Sequence, residues 1–360
     1  MAKTIAVLGG GNGAHMMAAD MKLRGHEVRL FEMPEFAPRL EKLFADRTIK
    51  ITSIIEETAV LDVVTSEIAE AVAGADYILV VTPAFAHGAY AKLLNGHVKS
   101  DQVLVTFPGA FAALEFRREL EGPNCPIIAD VNNLPYDVRL TGPSTLALHG
   151  YNKVNIAVLP AERGEELFDS LCSDLFSFER LYSDVLECGL SIVNPTLHTG
   201  PCLLNVSHIE SPMREFFLYE HGVTKSSMKV NIRLDQERKD LGTAVGYHLT
   251  PIEDFSGLQE GYSWQELYKA LHGEIALTPI SGPNDTHSRY LTEDASFGFV
   301  PWLALAHAFG VEMPLTRSII SLYNVIHDAD WLLEGLGLAG MGLEGMDADA
   351  IRHYVKTGEK

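Results

Sequence analysis

Positive charge is scarce in this chain: 28 Lys and Arg stand against 48 Asp and Glu, a formal net charge of -20. No dense basic cluster could follow a phosphate backbone, so nucleic acid and anionic membranes are not expected partners. The excess acidity repels small anions weakly, so an acidic ligand must meet a locally placed cation. Cysteine is scarce too. Cys125, Cys172, Cys188 and Cys202 are scattered without a C-x-x-C pair, which predicts reduced, mostly buried thiols in a cytoplasmic protein rather than a disulfide framework. No apolar run approaches the ~18 residues of a membrane span. The opening "MAKTIAVLGGGNGAH" is interrupted by glycines and Asn12 and shows no small-residue cleavage site, which disfavours a signal peptide. Metal motifs are missing as well: His208 and Glu210 match no ligand spacing.

What is present is an ordinary globular composition, 47% hydrophobic and 21% charged over 360 residues, a length suited to about two domains. Self-association into a homo-oligomer is compatible with it. The first part alternates β-branched runs with helix-period segments. "KTIAVLG", "HEVRLFE", "ADYILVVT", "DQVLVTF" and "CPIIADV" read as strands, and "AHMMAADMKLRG", "SEIAEAVAG", "AHGAYAKLL" and "AALEFRREL" as the helices between them. That order predicts a Rossmann-type, doubly wound α/β domain over 1–185 with right-handed crossovers. "IKITSIIEETAVLDVVTS" reads as a hairpin or an edge insertion, and "STLALHGYNKVNIAVLP" as further strands before a helix near "GEELFDSLCSDLF". From 186 to 360 a mostly α-helical domain is expected, from "SPMREFFLYEHG", "SSMKVNIRLDQERKDLG", "SWQELYKALHG", "VPWLALAHAFG" and "LTRSIISLYNVIHDADWLL", with one short helix closing a glycine-punctuated tail. "LDQERKD" reads as an exposed helical face with paired charges.

"VLGGGNGAH" lies directly after the first strand and opens the first helix, and Gly9, Gly11 and Ala14 fit G-x-G-x-x-[GA]. Gly9 suits a tight turn, Gly11 a close approach of pyrophosphate to the backbone, and Ala14 close packing of helix on strand. With Asn12 and Gly13 they begin a helix whose free N–H groups would hold the anion. Glu32 ends the second strand, 21 residues beyond Gly11, where a carboxylate binds the adenosine ribose hydroxyls. A carboxylate there repels a 2′-phosphate, and no Arg or Lys follows until Arg39, so NAD(H) is expected over NADP(H). Thr82 and Pro83 of "VVTPAF" lie where the rest of the dinucleotide would pass, and Pro108 and Gly109 of "TFPGA" end the next strand on the same edge. Simple turn chemistry explains either pair equally well.

"NPTLHTGPCLLN", residues 194–205, sets one imidazole, His198, among apolar residues, two prolines and a glycine. Alone, such a histidine reads as a satisfied core residue. It is also the side chain best suited to exchange a proton near neutral pH, and a nicotinamide enzyme must supply that exchange together with a substrate clamp.

"NPTLHTGPCLLN" and "GPNDTHSRYLTEDASFGFVP", with "LGGGNGAH", "PGAFAALEF", "NNLPYDVR" and the C-terminal helices in order, resemble the opine dehydrogenase family over essentially the whole chain. The resemblance implies a Rossmann domain followed by a helical one, a substrate site in the cleft between them, and NADH-dependent joining of an amino acid's amino group to a 2-oxo acid, here expected to be pyruvate. It further implies His198 as the catalytic histidine, Asp294 as its partner carboxylate, and Arg289 as the clamp on a substrate carboxylate. The planar guanidinium fork suits that task. Plain structural readings stand beside these: a core His198, Asp294 as N-cap to "ASFGFVPWLALAHAF", and Arg289 paired with Glu293. The chain also departs from the family pattern. Thr199 and Gly200 separate His198 from Pro201, where prolines often follow directly; Phe107 stands where asparagine is common, Asp130 where glutamate is, and Asp137 where a small residue is. Asp137 suits a cationic side chain of a substrate or a solvated loop. Two other readings compete: a two-domain NAD-dependent hydroxy-acid dehydrogenase with Lys225 or Lys229 at its centre, and an NAD(H)-responsive binding protein without turnover.

Overall fold

The chain, as a computed structural model, is described over residues 1–211, 215–252, 264–273 and 280–360. β1 (Thr4–Leu8) and β6 (Tyr77–Val80) are almost wholly apolar, as strands covered on both faces must be. They sit at the middle of a seven-stranded sheet of order β11-β8-β7-β6-β1-β2-β5, completed by β2 (Glu27–Phe31), β5 (Val63–Thr65), β7 (Val103–Thr106), β8 (Ile127–Val131) and β11 (Ile156–Leu159). Every neighbouring pair is parallel except β8 with β11. The chain builds outward from β1 to one side and then returns to add β6 on the other. The carboxyl ends of β1 and β6 therefore flank the topological switch point, where ligands bind in sheets of this kind.

The ambiguous segment after the second strand divides between two sheets. β3 (Thr48–Ser53) and β4 (Glu57–Val60) form an antiparallel hairpin in a four-stranded sheet of order β4-β3-β10-β9, while β5 becomes the edge of the large sheet. The small sheet is completed by β10 (Thr145–Tyr151) and β9 (Tyr136–Gly142); the latter falls on "YDVRLTG", which periodicity did not assign. Tyr136 fastens this sheet to the first helix, Asn12–Leu23, by donating to Asp20 Oδ2 at 2.7 Å.

The backbone groups into two compact units, Met1–Gly189 with Arg352–Lys360, and Leu190–Ile351. The tail, read from sequence with the helical half, thus ends in the first unit, where Arg117 donates to the Gly358 carbonyl at 3.3 Å and Lys360 reaches Glu121 at 3.1 Å. The second unit is helical, with Lys225–Val245 as its longest described helix, begun by a capping box between Thr224 and Ser227. Three helical expectations change. Of "SPMREFFLYEHG", helix is described only over Leu218–Gly222, and residues 212–214 lie outside the described set. "LTRSIISLYNVIHDADWLL" is two helices, Pro314–His327 and Trp331–Glu334, interrupted where Asp328 turns left-handed. "LDQERKD" is not an exposed face: Asp235, Glu237 and Arg238 are buried. Arg238 Nε lies 2.8 Å from Asp235 Oδ1, and its other nitrogens donate to the carbonyls of Leu190 and Thr250 at 2.7 and 2.6 Å. The four cysteines are free thiols, Cys188 and Cys202 buried, Cys125 and Cys172 half-buried. Among the described residues no helix is long and apolar enough to cross a membrane.

Candidate functional site

Gly9 follows β1 with φ +119°, and a Cβ on it would lie 2.6 Å from the Val81 carbonyl oxygen. Only glycine combines that dihedral with so close an approach of the β1 and β6 ends. At Gly11 nothing lies within 4 Å of a Cβ position, and no side chain caps the helix that follows. Asn12 is occupied elsewhere, its Oδ1 accepting the Leu140 N–H at 3.0 Å. First-turn N–H groups with open space before them fit a pyrophosphate. Gly13 faces Leu134, 3.0 Å from its Cβ position, and Ala14 is fully buried against the sheet.

Glu32, just past β2, is nearly buried and accepts from the Met33 N–H at 2.8 Å and the Tyr90 hydroxyl at 3.0 Å. Burial pushes its carboxyl above the ordinary value, against the pull of those hydrogen bonds. Thr82, just past β6, is buried with its hydroxyl lacking any hydrogen-bond partner, an orphan that a polar ligand would satisfy; Pro83 leads from it into the next helical turn. The following strand end is structural. Asp130 is fully buried there, accepting from the Thr106 hydroxyl at 2.5 Å and the Ala113 N–H at 2.9 Å, its carboxyl pushed up to about 6 by burial. Pro108 and Gly109 lead the chain past it, and a Cβ on Gly109 would strike it at 2.4 Å. Asp137 is exposed on β9, 3.7 Å from Arg139.

"NPTLHTGPCL" is a helix, Asn194–Leu203. Pro195 suits its first turn, where no N–H is needed. Pro201 lies inside and cannot serve the Leu197 carbonyl four residues back. Asn231, fully buried on Lys225–Val245, takes over: its Nδ2 donates to Leu197 O and its Oδ1 accepts the Gly200 N–H, both at 2.9 Å. These bonds bracket His198. Its Nδ1 lies 2.8 Å from Asp294 Oδ2, 96 residues away in sequence, and Tyr290 sets its ring edge-on to the imidazole, centroids 4.7 Å apart at 85°. Asp294 is not an N-cap. It opens a π-helical turn, Asp294–Phe299, between the α-helices Arg289–Glu293 and Val300–Ala308, and such turns recur at functional sites. With Nδ1–H donated to the carboxylate, the tautomer is set and Nε2 is left to exchange a proton. The two side chains keep 13% and 11% of their exposure.

Near this pair the two helical segments approach closely at Gly298, whose Cβ position lies 2.4 Å from Pro195 Cγ. Gly298→Ala forces a methyl group into a rigid ring, so a loss of about 1–3 kcal/mol of stability is expected, together with reduced turnover. Thermal unfolding and kcat on the same sample check both.

Arg289 pairs with Glu293 at 3.0 Å, one turn along its own helix, with 66% of its side chain exposed, the structural pairing that the sequence also allowed. Lys225 and Lys229 lie over the Trp264 ring at 5.5 and 5.7 Å, contacts that engage both ammonium groups. His208 packs on Phe216 and His221, centroids 5.3 and 5.1 Å away, and the described residues hold no group of three metal-ligating side chains. Sequence reasoning missed Asn231, Tyr290 and Tyr90. For Asn231 a signal existed: a proline at 201 within a helix requires an outside donor for Leu197.

Residues 181–327 match the alpha-helical domain of NAD/NADP octopine/nopaline dehydrogenase, and residues 4–114 match the N-terminus of NAD-dependent glycerol-3-phosphate dehydrogenase. The opine dehydrogenase of Arthrobacter sp. (strain 1C) is 31% identical over 98% of this chain and 99% of its own. Octopine dehydrogenase solved with NADH and L-arginine superposes with a TM-score of 0.76 at 22% identity, covering 99% of this chain and 98% of that one. Its complex with NADH and pyruvate gives 0.75 at 23% with the same coverage. A Rossmann-type unit with an open glycine turn, followed by a helical unit that matches this family, places the chain in the opine dehydrogenase family of NAD-dependent oxidoreductases acting on CH–NH groups.

Proposed function

We propose that the protein reductively condenses the amino group of an amino acid with a 2-oxo acid, pyruvate being the first choice, to give an N-(carboxyalkyl) amino acid, and runs the reverse oxidation, in the cytoplasm. The observation that carries this reading is the 2.8 Å contact between His198 Nδ1 and Asp294 Oδ2. The related octopine dehydrogenases solved with arginine and with pyruvate support the two substrate classes.

The glycine turn with Glu32 and Thr82 would hold the dinucleotide, which when bound supplies the hydride that reduces the imine carbon. His198 Nε2 takes the proton released as the neutral amine adds to the carbonyl and returns it to the resulting alkoxide, giving the carbinolamine; a second proton, taken up from solvent by the same nitrogen, then lets the hydroxyl leave as water and yields the protonated imine. In the oxidative direction the same nitrogen accepts the proton of the secondary amine. Asp294 keeps the ring oriented and the Nδ1 proton in place, as in other His/Asp pairs. Arg289 turns from Glu293 to the carboxylate of the oxo acid, a cation where the chain is otherwise strongly acidic.

Arg289→Gln is therefore expected to raise the KM for the oxo acid by about 10–100-fold, the loss of hydrogen bonds to a charged group, with NADH binding unchanged; initial rates against oxo-acid concentration measure it. The function itself is tested by following NADH oxidation with pyruvate, with and without a mixture of amino acids. Dependence on the amine supports the proposal, and an equal rate without it points to a hydroxy-acid dehydrogenase.

A further inference from the structure

The carboxylate expected to meet the adenosine ribose is far from a free surface group. Glu32 is 8% exposed, and an ionised carboxylate offers about four acceptor positions. Oε1 uses two of them, for the Met33 N–H at 2.8 Å and the Tyr90 hydroxyl at 3.0 Å. Oε2 lies against Gly10, 2.4 Å from where a Cβ would stand, and the Gly10 N–H also favours the ionised form. That leaves about one position open, on the side of the glycine turn. Tyr90 is itself buried at 3% exposure, its ring edge-on to Phe31 with centroids 6.1 Å apart at 88°. It belongs to the helix His87–Leu94, shortly after Thr82 and Pro83.

We propose that Tyr90 is a positioning residue for dinucleotide selectivity: its hydroxyl holds Glu32 in one orientation, with a single oxygen turned toward Gly10, so that a ribose hydroxyl is accepted and a 2′-phosphate refused. The proposal rests on the NAD(H) reading of the glycine turn. A ribose hydroxyl brings the one donor that the remaining lone pair can take. A 2′-phosphate brings negative charge and no donor, in a buried setting that screens repulsion poorly. A carboxylate free to rotate could swing away from the phosphate, and selectivity would fall although the charge remained. Tyr90 thus acts through Glu32 and needs no contact with the nucleotide.

The test is equilibrium binding of NADH and of NADPH to the full chain without substrate, followed by nucleotide fluorescence, for the wild type, Tyr90→Phe, Glu32→Gln and the double variant. The wild type is expected to favour NADH strongly. Tyr90→Phe should narrow the ratio of the two Kd values by about tenfold, the effect of losing a hydrogen bond to a charged group, as NADH loses a fixed acceptor and NADPH gains from a carboxylate that can turn away. In the Glu32→Gln background the same change should alter the ratio by less than about twofold, because Tyr90 no longer has a carboxylate to hold. The titratable groups acting on Glu32 are Tyr90 and Glu35, so Tyr90→Phe should also lose selectivity at a higher pH than the wild type as acid is added. Tyr90→Leu, with the same expectations, stands in if the phenylalanine variant does not fold. An unchanged ratio in the single variant, or an equal narrowing with and without Glu32, overturns the role of Tyr90. A wild type that binds neither dinucleotide overturns the NAD(H) reading beneath it.

Discussion

His198→Gln is expected to lower kcat for amine-dependent NADH oxidation by about 10²–10⁴-fold, the usual contribution of a positioned acid–base group, while leaving the Kd for NADH within about twofold, as for a site with no shared partner. The glutamine side chain keeps a polar group against Asp294 but cannot carry a proton between nitrogen and oxygen. A core histidine of purely structural importance would behave differently: its replacement would reduce stability and kcat together, through the fraction of folded chain. Unfolding midpoints measured alongside separate the cases. Asp294→Asn should give a smaller fall in kcat, because the imidazole remains but its tautomer is no longer imposed.

The second large effect concerns stability. Arg238→Met is expected to cost about 3–5 kcal/mol, the range for breaking a buried ion pair from one side. Both Arg238 and Asp235 are essentially without exposure. The substitution strands the Asp235 carboxylate, which among the described residues then keeps the Ile252 N–H at 3.0 Å and Lys239 at 3.7 Å. It also strands the carbonyls of Leu190 and Thr250. Removing Asp235 at the same time, as Asp235→Leu with Arg238→Met, should be milder than the single change, since no uncompensated charge then stays buried. Urea unfolding of the three proteins checks the order; a single variant within about 1 kcal/mol of wild type would mean that the group is solvated, as an exposed pair would be.

Legibility in the sequence followed the physics of each element. β1, β6 and β7 were readable because strands covered on both faces must be apolar throughout, and the glycine turn because it needs special dihedrals at a fixed spacing. β9 escaped because "YDVRLTG" is half polar on an exposed face and carries motif residues that drew a different reading. "LDQERKD" misled because charges at helical spacing look the same whether their partners are water or the carbonyls of remote turns; only the fold brings Leu190 and Thr250 to Arg238. His198 and Asp294 could not be joined by any local periodicity across 96 residues, and family resemblance alone paired them. Asn231 and Gly298, which shape that pair from behind, belong to no motif. The missing N–H at Pro201 is written in the sequence but the side chain that answers it is not, and the close approach of Gly298 to Pro195 is invisible until two helices are packed.

The most direct test of the account is the mass of the product formed from NADH, pyruvate and single amino acids by the wild-type chain and by His198→Gln. The account predicts, for at least one amino acid, a secondary amine dicarboxylate equal to the two substrates joined with loss of water and gain of two hydrogens, formed by the wild type and not by the variant. Reduced pyruvate as the sole product, or the joined product in equal yield from the His198 variant, would contradict it.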